Sequence, residues 1–293
     1  MDHKYFALFL EKTDFPAEAR ESLTNTLLAT ENKLPAILDL FHQSYDHAAT
    51  DLMVKALAEE SGISEYSIWL VVLILASQKA RSLYATDKLF WDTFTDLRYK
   101  AHECYDLHNI WGNFVSFWYP IFYKGTIVKL GRMEYETRMN ALTETYTIGD
   151  ITLGPGDRTI HLHIPTCPNE PFDKAARLES YRLAYEHFCK EGEPLVCLCA
   201  SWLLYSGFEE IFSPGTNISD FRKEFTMISN KPGANFGNAW RVFGKDHALP
   251  PEQLPEKTSM QRGFKKHYLE GKPFGNGTGV IIFDGNKLLS GIM

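Results

Sequence analysis

The sequence predicts an α+β protein: a helical N-terminal domain over residues 1–122, then a mixed α/β domain over residues 123–293. Two observations carry that prediction. Up to Phe122 stand two of the 20 glycines (Gly62, Gly112) and three of the 14 prolines (Pro16, Pro35, Pro120). Helix interiors exclude both residue types, whereas turns between strands recruit them. The hydrophobic period also changes at that point, from 3–4 spacing to alternation and continuous apolar runs.

The helices follow from their start and stop signals. Phe15-Pro16 opens one, with proline at an early position where its missing N–H has no intrahelical partner. Gly62 closes a helix from about Asp51, and Ser64 starts another that carries Ile68, Val71, Val72 and Leu75 at 3–4 spacing. Asp87 caps the next, on which Phe90, Phe94, Leu97 and Ala101 form one face. That aromatic stripe reads as core, not as a cofactor box. The longest uncharged apolar run, Ile68–Ala76, is about half of what a bilayer span needs. It reads as a buried helix, and no membrane association is expected.

In the second part, TIVKLGRMEYE (126–136) alternates as one strand, and LTETYTIG and RTIHLHI read as two more. With a Gly-Pro-Gly turn at 154–156 these predict a three-stranded antiparallel meander. Asp173 then caps a helix with Leu178, Tyr181, Tyr185 and Phe188 at 3–4 spacing, ended by Gly192 and Pro194. LVCLCASWLL (195–204) is almost continuously apolar, as in a strand covered on both faces. Strand, helix and strand make a crossover unit, so 159–164 and 195–204 are expected as parallel neighbours. Beyond them the sequence predicts a helix near 207–224, strands near 225–229 and 239–243, a helix over 258–270 and a hairpin about Asp284-Gly285-Asn286.

Charge and cysteine content narrow the function classes. A formal net charge of -7 and a pI near 5.8 argue against broad nucleic-acid binding, which needs a dense basic surface. The cluster of Arg262, Lys265, Lys266 and His267 reads as a solvated helix face. Five cysteines in an odd count, without framework spacing and without a secretory signal, fit a reducing cytoplasm. His161/His163 and Cys197/Cys199 would offer zinc two nitrogens and two sulfurs if they met across parallel neighbours. Neither spacing is a usual zinc knuckle, and no metal is expected. GNGTG (275–279) lacks the Lys-Ser/Thr of a phosphate-binding loop and reads as a turn into VIIF. Cys104 beside His102 and His108 lies in a helical stretch, without the strained turn a nucleophile needs.

Several segments together resemble a known bacterial acyltransferase-like family. They are FWDTFTDLRYK (90–100), VKLGRMEYE (128–136), IHLHIP (160–165), CASWLL (199–204), TNISDFRKEF (216–225) and LPEKTSMQRGFKKHYLEG (254–271). Its members join a helical N-terminal acyltransferase domain to a C-terminal domain of the GNAT (N-acetyltransferase-like) superfamily. The resemblance implies a sheet whose fourth strand, 159–165, and fifth strand, 195–204, splay apart. Acetyl-CoA or another acyl-CoA would sit in that gap as co-substrate. Its pantetheine would lie along Leu162, His163 and Ile164, with the thioester near His163 to Pro165. Its diphosphate would rest in the loop from Thr166 to Asp173, which holds Asn169, and Ser201 and Trp202 would also bind it. The acceptor would be a small-molecule or peptide amine, with the helical domain completing its side of the cleft.

An amine attacking a thioester needs a base, a polarised carbonyl and an acid for the leaving thiolate. Glu134 and His163 are the leading candidate bases, with Glu136 and His161 behind them on the same face. Ser201, Tyr205 or Cys199 would serve the thiolate. Two departures from the superfamily pattern favour an alternative, a catalytically silent acyl-CoA-binding sensor or scaffold. The loop PTCPNEPFD (165–173) has no glycine and carries Glu170 and Asp173 where the diphosphate would lie. Ala200 stands where similar proteins place histidine.

Overall fold

The computed structural model describes residues 2–233 and 235–291. The chain divides into two compact units, residues 1–129 with 165–168, and residues 130–164 with 169–293.

The first unit contains α1 (His3–Lys12), α2 (Ala17–Thr30), α3 (Leu34–Ser44), α4 (His47–Ser61), α5 (Glu65–Ala80), α6 (Asp87–Phe94), α7 (Asp96–His108) and the single turn α8 (Pro120–Tyr123). Helix α5 is its axis, touched by α1, α2, α3, α4, α7 and α8. Its apolar run explains that place, because every residue from Ser67 to Ser77 is buried. Each such aliphatic side chain contributes about 1.5–3 kcal/mol by leaving water. Two tyrosine hydroxyls reach into this core and are paired. Tyr123 Oη donates to the Leu73 carbonyl at 2.6 Å, and Tyr5 Oη and Ser77 Oγ lie 2.6 Å apart. Gly62, at φ +70°, closes α4 as expected, and Ser64 caps α5. The stripe of Phe90, Phe94, Leu97 and Ala101 is wholly buried, although it spans two helices that break at Thr95.

After α8 the chain enters β1 (Ile127–Leu130), β2 (Met133–Met139), β3 (Tyr146–Ile148), β4 (Ile151–Leu153) and β5 (Arg158–His163). Then follow α9 (Lys174–Phe188), β6 (Leu195–Ser201), α10 (Asn217–Lys223), β7 (Thr226–Gly233), α11 (Ala239–Phe243), α12 (Ser259–Leu269) and β8 (Phe274–Phe283). The main sheet runs β1-β2-β5-β6-β8-β7, antiparallel in its described pairs except for β5 with β6.

Several expected elements are corrected. TIVKLGRMEYE is two strands, because the chain turns at Gly131-Arg132 with Gly131 at φ +63°. The expected meander is interrupted, since β3 and β4 pair with each other in a separate two-stranded sheet. This hairpin is a cover: Ile148, Ile151 and Leu153 pack on Leu198, Val280 and Ile282. The strand expected at 239–243 is helix α11, whose Ala239, Val242 and Phe243 are buried at helical spacing. Between 207 and 224 the α-helix is confined to α10, because Pro214 and Gly215 break the run before Thr216 caps it.

GNGTG does not turn the chain. It lies inside β8, where the alternate glycines 275, 277 and 279 pass close under other backbone and rings. A Cβ at Gly277 would lie 2.3 Å from the Leu204 carbonyl oxygen, and one at Gly279 2.8 Å from Phe225 Cβ. Glycine within a strand marks such a close approach.

Helix α9 is fastened to the sheet by polar contacts. Ser180 Oγ donates to the Leu130 carbonyl at 2.5 Å, accepts from Met133 N–H at 3.1 Å and lies 2.9 Å from Tyr135 Oη. Fully buried Arg177 sends Nε and Nη2 to the Glu224 carboxylate at 3.0 and 2.7 Å, and Nη1 to the Phe172 carbonyl at 2.8 Å. Tyr181 Oη completes Glu224 at 2.8 Å. Removing one partner of such a pair strands the other charge in the interior. We therefore expect Glu224→Ala to cost about 3–5 kcal/mol of unfolding free energy in urea titrations. A loss below about 1 kcal/mol would place this pair among exposed ones.

Candidate active site

The site begins with a divergence. Parallel strands β5 and β6 pair Ile160 with Cys197 and His161 with Leu198. Beyond that point each strand stays in register with its outer neighbour. Strand β5 continues along β2 through Leu162↔Tyr135 and His163↔Glu134. Strand β6 continues along β8 through Cys199↔Gly279, Ala200↔Thr278 and Ser201↔Gly277. Just past the parting ends, Ile164 and Trp202 are half-buried against an apolar cluster that includes Phe208, Phe236 and Phe264.

Beside the divergence lies a polar face. Side chains alternate along a strand, and directly opposed residues share a face. Glu134, Glu136 and Arg138 of β2 therefore stand with His163, His161 and Thr159 of β5. The reverse face carries Met133, Tyr135 and Leu162, beneath α9.

The cluster is bonded diagonally. His163 Nε2 lies 2.9 Å from Glu136 Oε2, and Arg138 Nη1 lies 3.4 Å from the same oxygen. Arg138 Nη2 donates to His161 Nδ1 at 3.1 Å, so His161 Nε2 carries the proton and donates to Thr159 Oγ1 at 3.0 Å. Burial raises the Glu136 carboxyl, but the hydrogen bond and charge of His163, with Arg138, outweigh it and hold the group below its ordinary value. Burial, then the charges of Arg138 and His163, push His161 down to about 4. His161 is thus a neutral member of the face. The ionised Glu136 accepts from His163 Nε2–H, which leaves Nδ1 as the basic nitrogen of that ring.

The expected site residues divide between places. Glu134 and His163 are direct cross-strand partners, both on the polar face. Ser201 shares the parity of Cys197, which puts it on the opposite face, and its Oγ accepts from Leu203 N–H at 3.2 Å. Leu162 turns its buried side chain to the α9 face, and Thr166 and Asn169 are exposed in the loop after β5. Cys199 is buried and its thiol is pushed up to about 12, while Tyr205 packs in the aromatic cluster. Ala200 is exposed on the parity of the histidines. The zinc alternative fails on register: His161 lies level with Leu198, so the histidines and cysteines 197 and 199 occupy opposite faces. Among the described residues no three metal donors gather.

Sequence reasoning missed Arg138 and Thr159, although the alternation Glu134-x-Glu136-x-Arg138 opposite Thr159-x-His161-x-His163 was readable. It did place Asp173 at the start of α9, where the carboxylate accepts from Ala176 N–H at 2.9 Å.

The face sets a pH dependence. An unfolded histidine takes its proton near pH 6.5, but folded His161 resists until about pH 4. The unfolded chain therefore binds more protons between those values, and stability falls as pH falls through that window. Glu136, also held low, adds a loss in the same direction below its ordinary value. Urea unfolding at pH 6.5 and 4.5 should show wild type losing roughly 2–3 kcal/mol more than His161→Asn, which cannot titrate. Equal losses in the two proteins would contradict the buried neutral ring.

Comparison with known proteins places this geometry. The sequence matches the family model of the N-acyltransferase N-terminal domain over residues 5–125 and that of the GNAT-like C-terminal domain over residues 127–281. The crystal structure of an acyltransferase in complex with decanoyl-CoA and teicoplanin is 19% identical, covers 94% of this chain and 86% of that chain, and superposes with a TM-score of 0.67. A mutant acyltransferase in complex with octanoyl-CoA is 17% identical over 94% of this chain and 86% of its own, with a TM-score of 0.65. An acyltransferase in complex with CoA and 10C-teicoplanin is 20% identical, covers 92% and 85% of the two chains, and has a TM-score of 0.66. Likeness at these identities is likeness of fold. No curated protein matches the sequence significantly. The chain belongs to the acyltransferase family that joins an N-acyltransferase N-terminal domain to a GNAT-like C-terminal domain.

Proposed function

We propose that this protein transfers an acyl group from acyl-CoA to the amine of a small-molecule or peptide acceptor. The observation that carries the reading is the parting of β5 from β6 beside the Glu134/His163 face. A thioester's pantetheine arm has amides to pair, and the β6-facing edge of Leu162, His163 and Ile164 is the backbone it would meet. We assign Ser201 and Trp202, at the end of β6, to the other side of the parting.

In this reading the acceptor amine attacks the thioester carbonyl, the C–N bond forms and the C–S bond breaks. The amine's proton passes to His163 Nδ1, while Glu136 holds Nε2–H and supports the imidazolium as it forms. Glu134, the cross-strand partner of His163, stands on the same face. The thiolate leaves as the thiol after taking a proton from water, since Ser201 lies on the other face of the sheet.

For the acyl group, acetyl is the superfamily expectation, but two observations support a longer chain. Ile164 and Trp202, next to the parting ends, pack on an apolar cluster, and similar structures hold decanoyl-CoA and octanoyl-CoA. We read the donor as a medium-chain acyl-CoA, with acetyl-CoA as the alternative.

Thiol release from acetyl-, octanoyl- and decanoyl-CoA across an amine panel tests the proposal. His163→Gln should lower kcat by about 10²–10⁴ without weakening acyl-CoA binding by calorimetry, and Glu134→Gln should lower it less. No thiol release in any combination, or a His163→Gln enzyme of full activity, would sink it.

A further inference from the structure

The polar contacts at the start of α9 bear on which part of a donor this protein reads, an inference that rests on the transferase proposal. An acyl-CoA lying along β5 would lead its diphosphate toward the N-terminus of α9, because Pro165–Asp173 directly connects the two. A helix N-terminus ordinarily welcomes a phosphate through unpaired N–H groups and its dipole. Here those means are reduced.

Asp173 supplies its own anion, its carboxylate accepting from Ala176 N–H at 2.9 Å. Prolines 165, 168 and 171 remove three amides from the nine-residue connection, and no glycine lets the rest crowd a ligand. Glu170 adds a second carboxylate. Arg177, in the first turn, is fully buried and committed to Glu224, to the Phe172 carbonyl at 2.8 Å and to the Asn217 carbonyl at 3.3 Å. Arg132 is buried over the Phe172 ring, 5.2 Å from its centre. Lys174 is an exposed cation of that turn, beside Asp173 in the chain.

We infer that the protein recognises its donor through the pantetheine thioester arm and gains little from the nucleotide diphosphate. Acyl-pantetheine thioesters lacking that diphosphate would then be donors in their own right, whether free or carried as a phosphopantetheine group on another protein.

Steady-state thiol release with decanoyl-CoA and decanoyl-pantetheine, at a fixed amine, tests this. The two KM values should agree within about tenfold, equivalent to about 1.4 kcal/mol. Asp173→Asn keeps an oxygen to cap Ala176 N–H but removes the charge. It should lower the KM for decanoyl-CoA by about twofold to fivefold and leave that for decanoyl-pantetheine unchanged. A KM for decanoyl-pantetheine more than tenfold above that of decanoyl-CoA overturns the inference and leaves the transferase reading standing. Thiol release from neither donor overturns both.

Discussion

The site depends on strand competition. Strands β5 and β6 are parallel neighbours, and a hydrogen-bonded ladder would ordinarily carry them together to their ends. Each is held on its outer flank by a longer antiparallel ladder, β5 by β2 and β6 by β8. Sheets twist, and two strands that follow different partners separate unless their own ladder is long enough to prevent it. With two pairs between them, this ladder is not. The alternate glycines of β8 serve the same end, since they let that strand pass under Leu204 and Phe225 while staying in register with β6 to Ser201. Bulk at Gly277 would push β8 away and release β6 from the course that opens the gap.

A second constraint is the cost of charge in a sheet. Glu134, Glu136 and the neutral His161 are all buried, and a buried ionised group such as Glu136 is tolerated when its partners are fixed. The register fixes them. Because Glu134 opposes His163 and Glu136 opposes His161, each carboxylate has an imidazole within a strand's width, and Arg138 bridges Glu136 to His161. A slip of one residue would turn the acidic side chains under α9, against Ser180, and turn Tyr135 away from it. Fold specificity and site chemistry therefore rest on one register.

Much of this was legible in the sequence. The crossover unit, the caps at Ser64 and Asp173, and the buried α5 follow from residue types whose local physics allows few alternatives. What escaped were short segments that local rules cannot separate. Ala239–Phe243 has strand-like composition but buries residues at helical spacing, and five residues do not distinguish the two periods. The turn at Gly131-Arg132 lacks the Asn-Gly signature of a hairpin, so alternation reads straight through it. Gly275, Gly277 and Gly279 look like loop residues because the reason for them, a crowding backbone, is distant in sequence. In the candidate site, Glu134 and His163 were expected from residue type, and the register sets them opposite each other. Arg138 and Thr159 were not, because their part is set by diagonal contacts that only register reveals. Ser201 was placed near the thioester by position alone, and parity puts it across the sheet from the bases.

Parity also answers the question posed by Ala200, which stands where a histidine was expected. Ala200 shares the parity of His161 and His163, on the strand that departs from them. A base at that place would sit across the gap from Glu134 and lack the Glu136 and Arg138 contacts that organise β5. His163 lies instead on the strand that keeps its partner, with a carboxylate 2.9 Å from one nitrogen to fix the tautomer. Ala200 is exposed on that face and carries no side chain beyond Cβ. In the proposed reaction the base therefore stands on the anchored strand and not on the diverging one.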